Sequence, residues 1–351
     1  MGFEHLSVMV VDDSRFVLTM LTMILRALKV GKILAHADAS EVIADLKVLS
    51  KSTAARALVP DIIICDWIMS PITGDMLLRW LRLSEDSPDR FVPFIMISGA
   101  ADSDKVRISR NLGVTEFLAK PFSVAAVCDH LIAAIEQPRP FLYTRDYFGP
   151  DRRRQRRPWN DVDRRVATAD DIEYIYSAST MSKLKPSAKA FIFRLPNRLR
   201  EKVAGLGRGD PIVIPPDLMQ AAEQQLDRME DDYSDWVRGS IKRLVDAHAK
   251  ALDANSKGRI EQVIAINRLA HELRGQGSTF GYPLITVFGR SLYECTLNVE
   301  TAEDSLLEFV KAHIDGISAV IREKIKGTGG ELGNELVASL EVARKKLRMS
   351  S

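Results

Sequence analysis

Cysteine is scarce in this sequence: Cys65, Cys128 and Cys295 are the only three in 351 residues, far apart and odd in number. That argues against a disulfide framework and fits a reducing compartment. Long apolar runs are missing too. Stretches such as Ile62–Cys65 and Phe94–Ile97 fall far short of the ~18 residues that a membrane span needs. The Met1–His5 start lacks the basic stretch and apolar core of a secretion signal, so a cytoplasmic location is expected. Net charge is small, since 49 Lys plus Arg against 47 Asp plus Glu leaves +2. Bulk charge therefore does not make this a general nucleic-acid or membrane binder. A Gly-rich nucleotide fingerprint is also absent. What is present is enough apolar sequence for about two domains at ~150 residues each.

The first 137 residues alternate short β-rich runs with longer amphipathic stretches. Strands are expected at Ser7–Val11, Ile33–Ala37, Asp61–Cys65, Pro93–Ile97 and Thr115–Ala119, with helical patterns after each. Five such pairs imply an α/β fold with a doubly wound, five-stranded parallel sheet covered on both faces. Ligands in such folds sit at the carboxyl ends of the strands. From Gln137 the composition changes, and residues 138–214 read as an Arg- and Pro-rich linker, with a short strand at Ala190–Leu195 and a short helix near Asn197–Ala204. From 215 to 326 the spacing of apolar residues predicts an all-α four-helix bundle, opening on a long helix through Leu218, Leu226, Tyr233, Leu244 and Leu252. Residues 327–351 read as a tail, with a short basic helix over Glu331–Arg348.

Asp12 and Asp13 follow the first strand and Asp66 follows the third. Three carboxylates crowded at one sheet edge repel unless a cation neutralises them, and hard oxygen donors suit Mg²⁺. Ser98 and Lys120 end the next two strands. Such a set can stabilise a transferring phosphoryl group, with Asp66 as the attacking oxygen. Single Asp pairs after strands are often helix caps, and a lone Lys-Pro is often a turn. Five matching residues at the ends of four strands go beyond both.

Residues 5–136 closely resemble the receiver domain of two-component response regulators, a flavodoxin-like fold. The resemblance rests on Val10–Ser14, on Asp66–Met69 with Gly74, on Ser98–Ala100, on Phe117 and on Lys120–Phe122. It implies phosphorylation of Asp66, with Mg²⁺ held by Asp13, Asp66 and the backbone carbonyl of Ile68, and Asp12 acting through water. It also implies a switch made of Ser98 and Phe117, and a cis Lys120–Pro121 bond. The family usually has proline four residues after the acceptor. Here that position is Ser70 and Pro71 comes next.

Of six histidines, five have no metal-ligand or catalytic spacing. On a helix, Val263, Ile266, Ala270, Leu273, Gly277 and Phe280 form an apolar stripe, and His271, Arg274, Gly275 and Ser278 form a second one about 100° round. That arrangement predicts a surface imidazole beside a cation, able to accept a phosphoryl group. A lone surface histidine on a bundle helix would mean nothing. His271, Leu273, Arg274, Gly275 and Gly281, however, match the motif of the histidine-phosphotransfer (HPt) domain at every position. The resemblance implies that His271 accepts and relays phosphate beside Arg274.

Arg145–Arg165 holds eight arginines against four aspartates. Arg152–Arg157, with Trp159, could contact nucleic-acid phosphates and bases. The same run can equally be a solvated linker docking on an acidic face, and no nucleic-acid fold is visible here. The expectation is a phosphorelay protein, not an enzyme in its own right, served by a sensor histidine kinase or by partner receiver and HPt proteins. The alternatives are a receiver-controlled nucleic-acid binder acting through Arg152–Arg157 and a scaffold whose bundle only docks.

Overall fold

The computed structural model describes residues 2–51, 58–99, 103–152, 172–184, 190–204 and 211–350. They belong to two compact units: residues 1–119 with 124–225, and residues 226–351 with 120–123.

The N-terminal α/β region alternates β1 (Ser7–Val11), α1 (Arg15–Ala27), β2 (Lys32–His36), α2 (Ala39–Ser50), β3 (Ile62–Asp66), α3 (Gly74–Leu83), β4 (Phe94–Gly99), α4 (Ser103–Leu112), β5 (Glu116–Lys120) and α5 (Val124–Glu136). The sheet order is β2-β1-β3-β4-β5. Every residue of β3 is buried, which is why it reads as an unbroken apolar run rather than an alternating one. Its neighbours run parallel to it, with Val11 opposite Cys65 and Asp66 opposite Ile97. Helix α1 buries Phe16, Val17, Met20, Leu21, Ile24 and Leu25, the stripe that spacings of three and four create. Asp38 caps α2 by accepting from the Ser40 amide. The parallel sheet expected from the sequence is the one observed, and all its carboxyl ends lie at one edge.

The stretch expected to be a linker has a sheet of its own. Strands β6 (Phe141–Thr144), β7 (Tyr147–Pro150), β8 (Ile172–Ile175) and β9 (Ala190–Phe193) pair in the order β7-β6-β9-β8. β6 pairs antiparallel with β7 and β9, and β8 lies parallel to β9. Only β9 and helix α6 (Arg198–Ala204) coincide with the expected strand and helix. The sheet is held by aromatic packing. Phe91, from the loop before β4, lies 5.1 Å from Phe141, 5.2 Å from Phe148 and 5.1 Å from Phe193 between ring centroids. The backbones of Gly113 and Gly149 meet so closely that a Cβ on Gly149 would lie 2.6 Å from the Gly113 Cα. Arg139 adds donors to the Val114 and Thr115 carbonyls just before β5. Further on, Asn197 donates to the Ile135 carbonyl at the end of α5, and Lys202 pairs with Asp61.

Helix α7 (Pro216–Asp253) contains the division between the two units. It is followed by α8 (Ser256–Gln276), a 3₁₀ turn (Gly277–Phe280), α9 (Pro283–Cys295), α10 (Asp304–Arg322) and α11 (Gly330–Ser350). The core includes Tyr233 stacked on Phe280 at 4.5 Å and the buried Leu244, Ile266, Phe288 and Ile317. Within the segment expected to be a tail, α11 covers the helix anticipated over Glu331–Arg348 and extends it by a residue or two at each end. Leu340 is buried, and Arg344 reaches Glu294 of α9 at 3.9 Å. Among the described residues no helix is long and apolar enough to cross a membrane.

Candidate functional site

Asp12 follows β1 and Asp66 closes β3; both are buried at 1% exposure, while the adjacent Asp13 is exposed. One carboxylate oxygen from each of the three lies within 4.8 Å of the others. The Ser14 amide donates to Asp12 Oδ1 at 2.9 Å, which orients one of the pair while α1 begins. The β3–α3 loop is closed by the Gly74 amide donating to the Trp67 carbonyl at 2.9 Å. Three carboxylates this close, two of them withdrawn from water, suit a small divalent cation with a preference for oxygen.

Ser98, near the end of β4, is fully buried, and among the described residues its hydroxyl has no hydrogen-bond partner. A buried hydroxyl without a partner is costly, so Ser98 is set to accept or donate when something enters beside it. Lys120 ends β5 and is buried, and the Lys120–Pro121 peptide is cis as expected. The parallel sheet thus carries acids, hydroxyl and ammonium at one edge.

Residues 8–132 match the family model for the response regulator receiver domain. This part of the chain is a receiver domain of two-component signalling. Solved structures resemble it as well. The chemotaxis protein CheY4 from Vibrio cholerae is 25% identical, covering 36% of this chain and 95% of its own, at a TM-score of 0.31. A receiver domain from a sensor histidine kinase of Pseudomonas aeruginosa, with magnesium in its active-site cleft, is 23% identical, covering 37% of this chain and 95% of its own, at 0.30. The CheX–CheY complex of Borrelia burgdorferi is 24% identical, covering 37% of this chain and 88% of that one, at 0.31. A search of curated proteins finds no match.

Within the receiver, Phe117 is half-buried and packs on the core that contains Trp67, Met69 and Val114. Ile68 lies in the loop after Asp66, also half-buried. Ser70 does something a proline cannot. Its amide donates to Asp13 Oδ2 at 3.2 Å, so the departure from the family pattern adds a backbone hold on one of the acids. Sequence reasoning noticed the departure but had no way to see the bond. Ala100, Arg153–Arg157 and Trp159 lie outside the described residues. Arg152 is described: its guanidinium lies 4.5 Å from the Tyr147 ring centroid and donates to Asn111 at the end of α4 at 2.6 Å.

In the C-terminal unit, Val263, Ile266, Ala270, Leu273 and Phe280 are buried, as the stripe predicts. The second stripe differs from expectation. His271 and Arg274 are each only 7% exposed rather than open to water. On α9, the Tyr293 ring has its centroid 4.2 Å from the Arg274 guanidinium carbon and 5.7 Å from the His271 ring. Gly281 sits at φ +78°, a conformation that favours glycine. The motif's last position is therefore a turn requirement. His313 is also buried, but both ring nitrogens are engaged, with the Phe309 carbonyl at 2.7 Å and Ser291 Oγ at 2.9 Å. Burial pushes the Cys128 and Cys295 thiols up to about 12, which removes them as nucleophiles at neutral pH.

Proposed function

We propose that this chain is a phosphorelay component in which Asp66 accepts a phosphoryl group and His271 takes or passes on one. The observation that carries the first half is the cluster of Asp12, Asp13 and Asp66 at the carboxyl edge of a receiver sheet. An Asp66 carboxylate oxygen attacks the phosphorus of a phosphohistidine on a partner, the P–N bond breaks, and the imidazole leaves. Lys120 neutralises charge on the transferring oxygens, and the Ser98 hydroxyl then turns toward the new phosphate. Asp13, Asp66 and the Ile68 carbonyl would hold Mg²⁺, with Asp12 acting through water, and the ion when bound draws charge from those same oxygens. Neither acceptor needs a nucleotide of its own, so the chain depends on a sensor kinase or on partner receiver and HPt proteins.

Support for the second half is the HPt-like motif with His271 and Arg274 side by side on a helix of a bundle. A His271 ring nitrogen attacks an aspartyl phosphate, the acyl P–O bond breaks, and the carboxylate leaves. The guanidinium of Arg274 offsets the charge that arrives. The low exposure of His271 sets a condition, since the ring has to be uncovered for a donor to reach it.

The test uses the full chain. With Mg²⁺ and acetyl phosphate it should gain one base-labile phosphate, lost in Asp66→Asn. An Asp66→Asn chain mixed with phosphorylated partner receivers should gain an acid-labile phosphate, lost in His271→Gln. Equal labelling of parent and Asp66→Asn by acetyl phosphate refutes the first assignment. Failure of every receiver to label His271 refutes the second.

A further inference from the structure

Two pins hold α9 against α8. At one, the Gly289 backbone comes so near α8 that a Cβ there would lie 2.6 Å from the Arg274 nitrogen and 3.0 Å from its Cα. At the other, Asn267 donates to the Tyr293 carbonyl and to Thr296 Oγ1, each at 2.9 Å. Asn267, His271 and Arg274 fall on one face of α8 at spacings of four and three. Tyr293 stands one turn beyond Gly289 on α9, and both pins deliver its ring to that face. The ring lies 4.2 Å from the Arg274 guanidinium carbon and 5.7 Å from the His271 ring, tilted 53° to the latter. Tyr293 itself is buried at 7% exposure. Nothing in the HPt-like motif specifies it.

We infer that Tyr293 is a positioning residue for the His271 phosphoacceptor, its ring holding the Arg274 guanidinium beside the imidazole so that cation and nucleophile are fixed side by side. The inference rests on the relay function proposed for His271. An arginine carries several rotatable bonds, and a free one spends most of its time away from any single position. Stacking on a flat ring restricts that range and draws on the attraction between a cation and a π face. The cation is then already in place when the phosphoryl group arrives, and the reaction is spared the ordering. Gly289 and Asn267 act one step further out, by fixing where the ring stands.

The experiment uses the full chain with Asp66→Asn, so that only His271 takes label, and phosphoramidate as donor. Tyr293→Phe keeps the ring and should label within about twofold of the parent. Tyr293→Leu should slow labelling about tenfold, within the range expected of a stacked cation, with helix content unchanged by circular dichroism. The diagnostic arm repeats Tyr293→Leu on an Arg274→Ala background, where a ring acting through the guanidinium has little left to lose. A further tenfold loss there overturns the inference, as does an unchanged rate in the single variant. Nuclear magnetic resonance signals of the His271 imidazole and the Arg274 Nε–H give a readout without transfer. They should move in Tyr293→Leu and stay in Tyr293→Phe, and signals unmoved by Tyr293→Leu refute the positioning role. Should the parent take no label from phosphoramidate or from any receiver, the relay reading falls, and these signals alone then decide whether Tyr293 holds the pair.

Discussion

The Arg82 side chain, buried at 1% exposure, donates from Nε to the Gly113 carbonyl at 3.1 Å. The same guanidinium donates to the Arg90 carbonyl at 2.7 Å, and its carbon lies 5.3 Å from the Phe141 ring centroid. One cation thus joins the end of α3, the loop before β4, the turn before β5 and the small sheet. Burial lowers its pKa to about 10, with Asp89 and then Tyr147 opposing the shift, so it stays charged at neutral pH.

Arg82→Met keeps the length and removes the donors, leaving two backbone carbonyls without this partner. Unfolding by urea should show a loss of about 2–4 kcal/mol. Arg79→Met, one turn earlier and exposed, should change stability by less than about 0.5 kcal/mol. Equal effects at both sites would deny Arg82 its role.

Asp13 is exposed and takes one bond from the Ser70 amide. Asp13→Asn should weaken Mg²⁺ binding about tenfold or more, read by titrating Trp67 fluorescence, since Trp67 directly follows the acceptor. Ser98→Ala, which replaces a buried hydroxyl lacking a partner among the described residues, should leave stability equal or slightly higher. It should still allow Asp66 to be labelled by acetyl phosphate while reducing the change in hydrogen exchange around α4 that follows labelling.

His313 is held neutral. Burial lowers its pKa to about 4, the bond to the Phe309 carbonyl opposes this, and Arg344 adds to the lowering. Between about pH 6.5 and 4 the unfolded state binds the proton and the folded state does not, so stability is full above the unfolded pKa and falls with pH through this window. The loss should reach roughly 3 kcal/mol. Hydrogen exchange in α10, corrected for its intrinsic pH dependence, should show it. His313→Gln should flatten that slope, and a slope unchanged by the substitution would place its origin elsewhere.

Phe193 is 1% exposed between Phe91 and Phe148. Phe193→Ala should cost about 3–5 kcal/mol and loosen exchange in β6 and in the loop around Phe91 together. Loosening confined to β9 would mean that the aromatic cluster does not tie the small sheet to the receiver.

The receiver was legible because its signals are local. Each strand is one apolar run and each site residue sits at a strand end, so Asp12, Asp66, Ser98 and Lys120 can be placed without knowing what packs where. The small sheet was not. Its strands are four residues long, and β6 and β9 find each other only across a long stretch of chain. The alternation of Phe141 with Tyr143 and of Phe191 with Phe193 was there to read, but an arginine-rich context hid it. Arg82 reads as an ordinary last-turn cation on α3, since periodicity cannot say that a later sheet will cover it. The same limit applies at His271. Helical spacing put it on its own face, and spacing alone cannot say that Tyr293 of another helix will stand beside it.

The contact between Phe91 and the small sheet also fixes where the chain can be divided. A fragment ending at residue 137 would keep every receiver motif, yet Phe91 would lose Phe141, Phe148 and Phe193, and the Val114 and Thr115 carbonyls would lose Arg139. The exposed aromatic and the open carbonyls would form a sticky patch on an otherwise intact domain. Such a fragment should self-associate more than one ending at residue 204, so the chain is better divided after α6 than at the end of the last receiver motif.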